Sequence, residues 1–322
     1  MRMTTTANAR GRRRQPKGVT LGDSLFEGVS AAVAFGVLAL LGLIAVVLLL
    51  TAVPSIQTFG LGFLWGTTWT AQPVPMFGAL PFVYGTLVTS ALALLVGVPI
   101  SLGVAIFLSE LAPGWLRVPM TYVVELLAAV PSVVYGLWGI FVLAPAMRGY
   151  LEPSLQQVFG FLPIFAGTPI GTDKFTAGVI LAIMIIPTVS AVSREALLVV
   201  PQSQREAALS LGATRWETTR KAVLTYARSG LFGAVILGLG RAVGETMAVT
   251  MTIGNKIGIS ASLFDQGQTI ASVLANNFGE ASPLEASALI ELGLVLMLVA
   301  LLINVFGRFF VGRVLRYQEA VA

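Results

Sequence analysis

The 322 residues are 56% hydrophobic and only 11% charged, with a mean hydropathy of +0.87, too apolar for a water-soluble globule of this size. The absence of Cys and His removes disulfides, thiolate nucleophiles, imidazole bases and His metal ligands, and with them most enzyme mechanisms. The net charge of +5 is not a nucleic-acid footprint, because the bases sit in the termini and in short loops between apolar runs.

Residues 1–27 form a basic tail carrying Arg2, Arg10, Arg12, Arg13, Arg14 and Lys17, and are expected to be disordered. The apolar run that follows is too long for a signal peptide and lacks a small-residue cleavage site, so it reads as a retained first span, Val29 to Val53, bounded by Pro54. Ser55 to Ala79 carries no charge but holds Phe59, Phe63, Trp65, Trp69 and Phe77, a composition suited to lying along the membrane surface. Span two is Leu80 to Leu108, with Pro99 as a kink site. A turn containing Glu110 and Arg117 leads to span three, Pro119 to Ala146, with Glu125 and Pro131 inside it. Met147 to Phe175 reads as a polar loop, and span four, Thr176 to Val192, as a short span interrupted by Pro187. The longest charged stretch, Ser193 to Ser229, precedes span five, Gly230 to Ile253. A loop from Asn255 to Pro283, span six from Leu284 to Phe306 with Glu291 inside, and a tail at residues 319–322 complete the chain. The fold class is therefore all-α: a polytopic membrane bundle of six spans over about residues 28–318.

An even number of spans puts both termini on one side of the membrane. Sixteen bases fall on that side, against three (Arg148, Lys174 and Lys256) on the other, and the positive-inside rule makes the terminal side cytoplasmic.

Two segments carry the functional signal. In Gly238 to Asn255, Arg241 and Glu245 stand four residues apart inside an otherwise apolar span. A charge there costs roughly 2.5 to 3.5 kcal/mol, and helical spacing would let the two pair on one face. Two readings fit: a structural ion pair locking helices together, or an anion site facing a solvated pathway. Within the Ser193 loop, Glu206 to Leu211 favours helix, Gly212 is a natural stop, and a second amphipathic helix would carry Trp216. This is either a solvated surface or a docking element for a partner.

The stretch Glu206 to Leu224 resembles the E-A-A, three residues, G, nine residues, I-x-L-P loop of ABC importer permeases. Glu206, Ala207, Ala208, Gly212 and Leu224 match by spacing, whereas Ala222 and Thr225 replace the expected Ile and Pro. Gly240 to Val249, with Ile253-Gly254-Asn255, is similar to the corresponding segment of phosphate-specific ABC permeases, of the PstC type and not the paired PstA type. The segments Phe77 to Pro81, Phe107 to Pro113 and Pro131 to Gly139 agree in the same order, so the resemblance covers roughly residues 20 to 318. It implies a type I ABC importer permease of the bacterial inner membrane that pairs with a PstA-type permease, two copies of a cytoplasmic ATPase and an extracytoplasmic phosphate-binding protein.

By that resemblance Glu206, Ala207, Ala208, Gly212, Trp216 and Leu224 belong to the ATPase-coupling element. Arg241, Glu245 and Thr246 belong to the substrate pathway, with Glu125, Glu291 and Asn255 as further candidates. The chain has no G-x-x-x-x-G-K-[ST] motif, so ATP and Mg are expected on the partner ATPase, with no cofactor, metal or catalytic residue in this chain. Two alternatives stay open: a permease for sulfate or molybdate, whose R-A-x-G-E element is similar, and a stand-alone channel or secondary carrier in which the loop is only a connector.

Overall fold

The computed structural model describes residues 21–319, with side chains over residues 25–309. The first 20 residues of the expected disordered tail, the bases within them and residues 320–322 lie outside the described residues; Leu21 to Glu27 already belongs to a helix. The chain divides into one unit ending at Val47 and a second beginning at Leu48.

Among the described residues six helices are long and apolar enough to cross a membrane, which makes this a multi-pass membrane protein. The helices are α1 (Leu21–Phe59), α2 (Leu80–Ile106), α3 (Gly114–Ala128), α4 (Ser132–Phe159), α5 (Lys174–Leu198), α6 (Gln202–Ser210), α7 (Arg215–Gly244), α8 (Met247–Thr252), α9 (Ile270–Asn277) and α10 (Pro283–Glu319). The spans are α1, α2, α4, α5, α7 and α10.

Several boundaries differ from the sequence expectation, each for a physical reason. Span one does not stop at Pro54 but runs to Phe59. A proline inside a helix removes one backbone N–H and displaces a carbonyl, so neighbouring groups must supply the lost bonds. Here Ser287 of α10 does so: its hydroxyl accepts from Ser55 N at 3.1 Å and donates to the Thr51 carbonyl at 3.0 Å.

The uncharged aromatic stretch is not an interfacial belt. It folds into a single helical turn, Gly62–Trp65, and an antiparallel hairpin of β1 (Trp69–Thr70) and β2 (Met76–Phe77), with Trp69 opposite Phe77. Phe63, Trp69, Phe77 and Phe82 bury their rings against Ile270, Val273 and Leu289 from α9 and α10. Trp69 lies 4.7 Å from the Phe77 ring centroid and 5.2 Å edge-on from Phe82, and its indole N–H donates to Glu285 at 3.0 Å. Trp65 alone of this group keeps an interface-like position, 74% exposed.

Span three is two helices. Pro131 is not a kink inside one helix: the residue before a proline avoids helical geometry, so α3 ends at Ala128 and α4 starts after Pro131. α4 passes through π-helical turns at Gly139–Leu143 and Met147–Leu151 and continues to Phe159, absorbing half of the predicted loop. Pro187 lies inside α5 without interrupting it. The core of the second unit is the contact of α2 with α5, α7 and α8, where Ala93, Ala177, Leu181, Ile185, Val189, Ala234, Ala242 and Val249 cluster. Small residues let the backbones approach, as membrane helices require in the absence of a hydrophobic driving force between them.

Candidate functional site

The apolar course of Gly238 to Asn255 predicts one continuous helix. Instead α7 ends at Gly244, Glu245 is extended at φ −71° and ψ 127°, and α8 restarts at Met247. The i, i+4 geometry that would pair Arg241 with Glu245 therefore does not exist. The two ion pairs among the described residues are Arg194 with Glu195 and Arg205 with Glu110. The structural ion-pair reading is corrected accordingly.

Arg241, in the last turn of α7, is half-buried and reaches across to α5, where its Nη1 donates to Thr188 Oγ1 at 3.1 Å. On α4 the Tyr135 hydroxyl donates to the Leu127 carbonyl at 3.0 Å. Gly238, one turn earlier, lies against Val189 and sets the spacing of α7 on α5. Glu245 turns the other way: its carboxylate accepts from the Ala248 backbone N–H at 3.3 Å and holds the start of α8. Thr246 donates to the Gly244 carbonyl at 3.4 Å, and its own carbonyl accepts from the Thr250 hydroxyl at 2.7 Å. Asn255 closes α8 in the left-handed region, at φ +56°, with its amide donating to the Thr250 carbonyl at 2.8 Å. The result is a guanidinium beside a broken membrane helix, with no carboxylate of the described residues within ion-pair distance. Non-helical backbone at membrane depth is tolerated only where it is buried in protein or lines a polar cavity.

The position of α8 explains the Pro131 to Gly139 segment. Gly136 of α4 faces α8 so closely that a Cβ there would meet Met251 Sδ at 2.6 Å and Ala248 Cα at 3.1 Å. Close approach favours glycine here, and α4 thereby serves as the bed on which the broken segment rests.

The lesser candidates are scattered. Glu125 belongs to α3, not to a span, and lies exposed beside a cavity of about 160 Å³ shared with Thr121, Ser190, Arg194 and Glu195. Glu291 is buried at 8% exposure in α10, in the region of Ser55, well apart in sequence and contact from Arg241. A cluster that sequence reading missed lies at the start of α5: Glu152, Asp173 and Lys174 are all buried. Asp173 caps α5 by accepting from Thr176 N at 2.8 Å, Glu152 accepts from Gly171 N at 3.2 Å, and Lys174 Nζ donates to the Ser260 carbonyl at 2.8 Å. Burial pushes the Asp173 carboxyl above its ordinary pKa, against the opposing pull of its hydrogen bonds to Thr176 and Glu152. Among the described residues no group of three or more Asp or Glu is placed to hold a metal.

The loop between α5 and α7 forms the expected helix, turn and helix. No residue of α6 is buried, and Glu206 and Ala207 are exposed. Gly212 turns the chain at φ +82°, a geometry that favours glycine. Thr214 and Glu217 then form a reciprocal capping box that starts α7. The second helix is not separate from span five: it continues through a π-helical turn, Thr219–Val223, to Gly244. Trp216 is 55% exposed and the unanticipated Leu211 is 89% exposed, whereas Leu224 packs inward with Ala105, Leu197 and Val223. Leu224 thus belongs to the foundation of the element and not to its outer face.

With this geometry in hand, comparison with known proteins is direct. Residues 97–316 match the family model for the binding-protein-dependent transport system inner membrane component. The phosphate transport system permease protein PstC of Pasteurella multocida is 46% identical over 91% of this chain and 92% of its own. That of Haemophilus influenzae is 44% identical over 90% and 93%, and PstC 2 of Mycobacterium tuberculosis 40% over 90% and 92%. In fold the chain is similar to a chain of the bacterial alginate ABC transporter, with TM-score 0.61 and 15% identity over 91% of this chain and 96% of that one. It is likewise similar to the inward-facing MetNI methionine ABC transporter, with TM-score 0.54 and 21% identity over 73% and 95%. With 40 to 46% identity to these PstC relatives over about nine-tenths of its length, and a family model matched over residues 97–316, the chain belongs to the PstC family of phosphate transport system permease proteins.

Proposed function

We propose that this chain is one of two permease subunits of an ATP-driven phosphate importer in the bacterial inner membrane, with both termini cytoplasmic. The observation that carries the pathway reading is Arg241, fixed by Thr188 and left without a carboxylate partner among the described residues. A guanidinium in a span that no acid of the described residues neutralises is poised to be neutralised transiently by a passing anion. Its planar donors suit phosphate oxygens in pairs, and the rigid anchor at Thr188 leaves the rest of the fork free to exchange ligand. Glu245 supports the same site by holding the helix break open, which also repels an anion that lingers.

The base-rich side of the membrane carries the loop with α6, Gly212 and the start of α7, and we assign this loop as the seat for a cytoplasmic ATPase. Two ATPase copies, a PstA-type second permease and an extracytoplasmic phosphate-binding protein complete the machine; ATP and Mg reside on the ATPase. Glu206, Ala207 and Trp216 with Leu211 form the outward face of the seat.

The test is uptake of phosphate, sulfate and molybdate by the complete complex in vesicles, with wild type and Arg241→Gln compared at equal assembly. Phosphate should be preferred, and R241Q should lower its uptake roughly ten- to a hundredfold, the loss expected for a charge-assisted bond in the transport cycle. Wild-type uptake by an assembled R241Q complex would overturn the role of Arg241, and preference for sulfate or molybdate would overturn the substrate.

A further inference from the structure

Arg205 is the one charged side chain of α6 that turns toward the chain's own body. Its guanidinium makes four bonds. Nη2 and Nε engage the two oxygens of Glu110 at 2.8 and 3.3 Å, Nη2 also reaches the Leu197 carbonyl at 3.0 Å, and Nη1 reaches the Val200 carbonyl. Only 16% of the Arg205 side chain and 12% of the Glu110 side chain are exposed. Glu110 sits in the π-helical turn Phe107–Leu111 that ends α2, and Leu197 and Val200 lie at the end of α5. One side chain thus ties α6 to the ends of two spans that form the core. A cation on the last carbonyls of α5 is also favoured by the helix dipole.

The two arms of the loop differ in how they meet the membrane. α7 passes into its span without a break, so movement at Trp216 travels along one helix. α6 is separated from α5 by Val199 to Pro201 and buries none of its residues fully, with Ala208 its one half-buried apolar side chain, so it has little apolar packing to carry its movement. The Arg205 fork fills that gap. From Leu197 the rigid helix α5 leads back nine residues, about 13 Å, to Thr188, the residue that holds Arg241.

We propose that Arg205, through Glu110 and the end of α5, is the positioning residue that transmits movement of the docking loop to the Arg241 site. The inference rests on the importer reading given above. It accounts for a sequence feature that the docking motif leaves unexplained, the acid in Phe107 to Pro113, which lies 95 positions from its partner.

The test uses the complete complex, with second permease, ATPase and binding protein, in proteoliposomes, and measures phosphate moved per ATP hydrolysed. R205A and the packing-preserving E110Q should each lower that ratio roughly fivefold or more, and the double variant no further, because both remove the same link. Arg205→Lys, which keeps the charge but loses the fork, should fall between. An unchanged ratio in R205A, strictly additive losses in the double variant, or loss of ATPase co-purification in both R205A and E110Q would overturn the proposal, the last by making the pair merely structural. Failure of the importer reading is separately visible, since wild type would then hydrolyse ATP without moving phosphate.

Discussion

Gly136→Ala adds one methyl group to α4 where it supports the broken helix. That methyl would lie 2.6 Å from Met251 Sδ, 3.1 Å from Ala248 Cα and 3.4 Å from the Met247 carbonyl oxygen. Ordinary carbon contacts lie at about 3.5 to 4.0 Å. The thioether can swing aside, but Ala248 Cα is backbone, so α8 itself must shift by a few tenths of an ångström. Overpacking of this kind costs about 1 to 3 kcal/mol, and alanine's better helix propensity returns about 1, leaving a net loss of about 0 to 2 kcal/mol. Gly103→Ala is the matched control: it lies inside α2 with nothing within 4 Å of the methyl it would gain, so only the propensity gain applies. The assay pairs thermal unfolding in detergent with phosphate uptake by the assembled complex. G136A should melt below G103A and lose more uptake than its stability loss accounts for, because the displaced α8 is held by Glu245 and adjoins Arg241. If the two variants behave alike in both assays, the close seating of α8 on α4 is not what keeps the site in shape.

Other outcomes follow from the same geometry. Gly212→Val meets no neighbour, since nothing lies within 4 Å of a Cβ there, so its cost is confined to the backbone at φ +82°: about 1 to 2 kcal/mol, read as weaker co-purification of the ATPase and fewer phosphates moved per ATP. Undiminished values for both would remove the turn from the coupling role. Asp173 carries a raised pKa in the folded chain, so the folded state holds its proton more tightly than the unfolded one, and its contribution to stability is present at acidic pH and lost as pH rises through the folded value. Asp173→Asn keeps the cap on Thr176 N, removes the buried charge, and should make the fall in melting temperature with rising pH shallower than in wild type. An identical pH profile would show that Asp173 does not titrate with folding.

The apolar runs announce the spans because length and composition alone decide what crosses a bilayer, and Gly212 with the Glu206 helix announces the turn of the α5–α7 loop because both are local. What the sequence hides is long-range. The pairing of Arg241 with Glu245 presupposes an unbroken helix, and nothing in Gly244-Glu245-Thr246 distinguishes a stop from a continuation until Gly136 is seen pressed against Ala248. Trp69 and Phe77 read as interface anchors because uncharged aromatics serve both purposes; only the hairpin and the Glu285 bond reveal a packed plug. Pro131 and Pro54 show that proline alone does not fix a boundary: one starts a helix, and the other is bridged by Ser287 and passed through. Arg205 and Glu110 each resemble an ordinary loop charge, since no spacing rule links residues so far apart.

The unbroken course of α7 also sets a mechanical scale. Thirty residues from Arg215 to Gly244, at about 1.5 Å each, make a rod of about 45 Å, longer than the hydrocarbon core is thick. Pivoted at its buried residues Thr218 and Thr219, such a rod turns a tilt of about 5° into a sweep of about 3 Å at Arg241, near the far end. That sweep is comparable to the width of a tetrahedral oxyanion. On the proposed reading of Arg241, leverage of this size is enough to move the guanidinium by about the width of its ion, with no span unwinding or sliding by a whole turn.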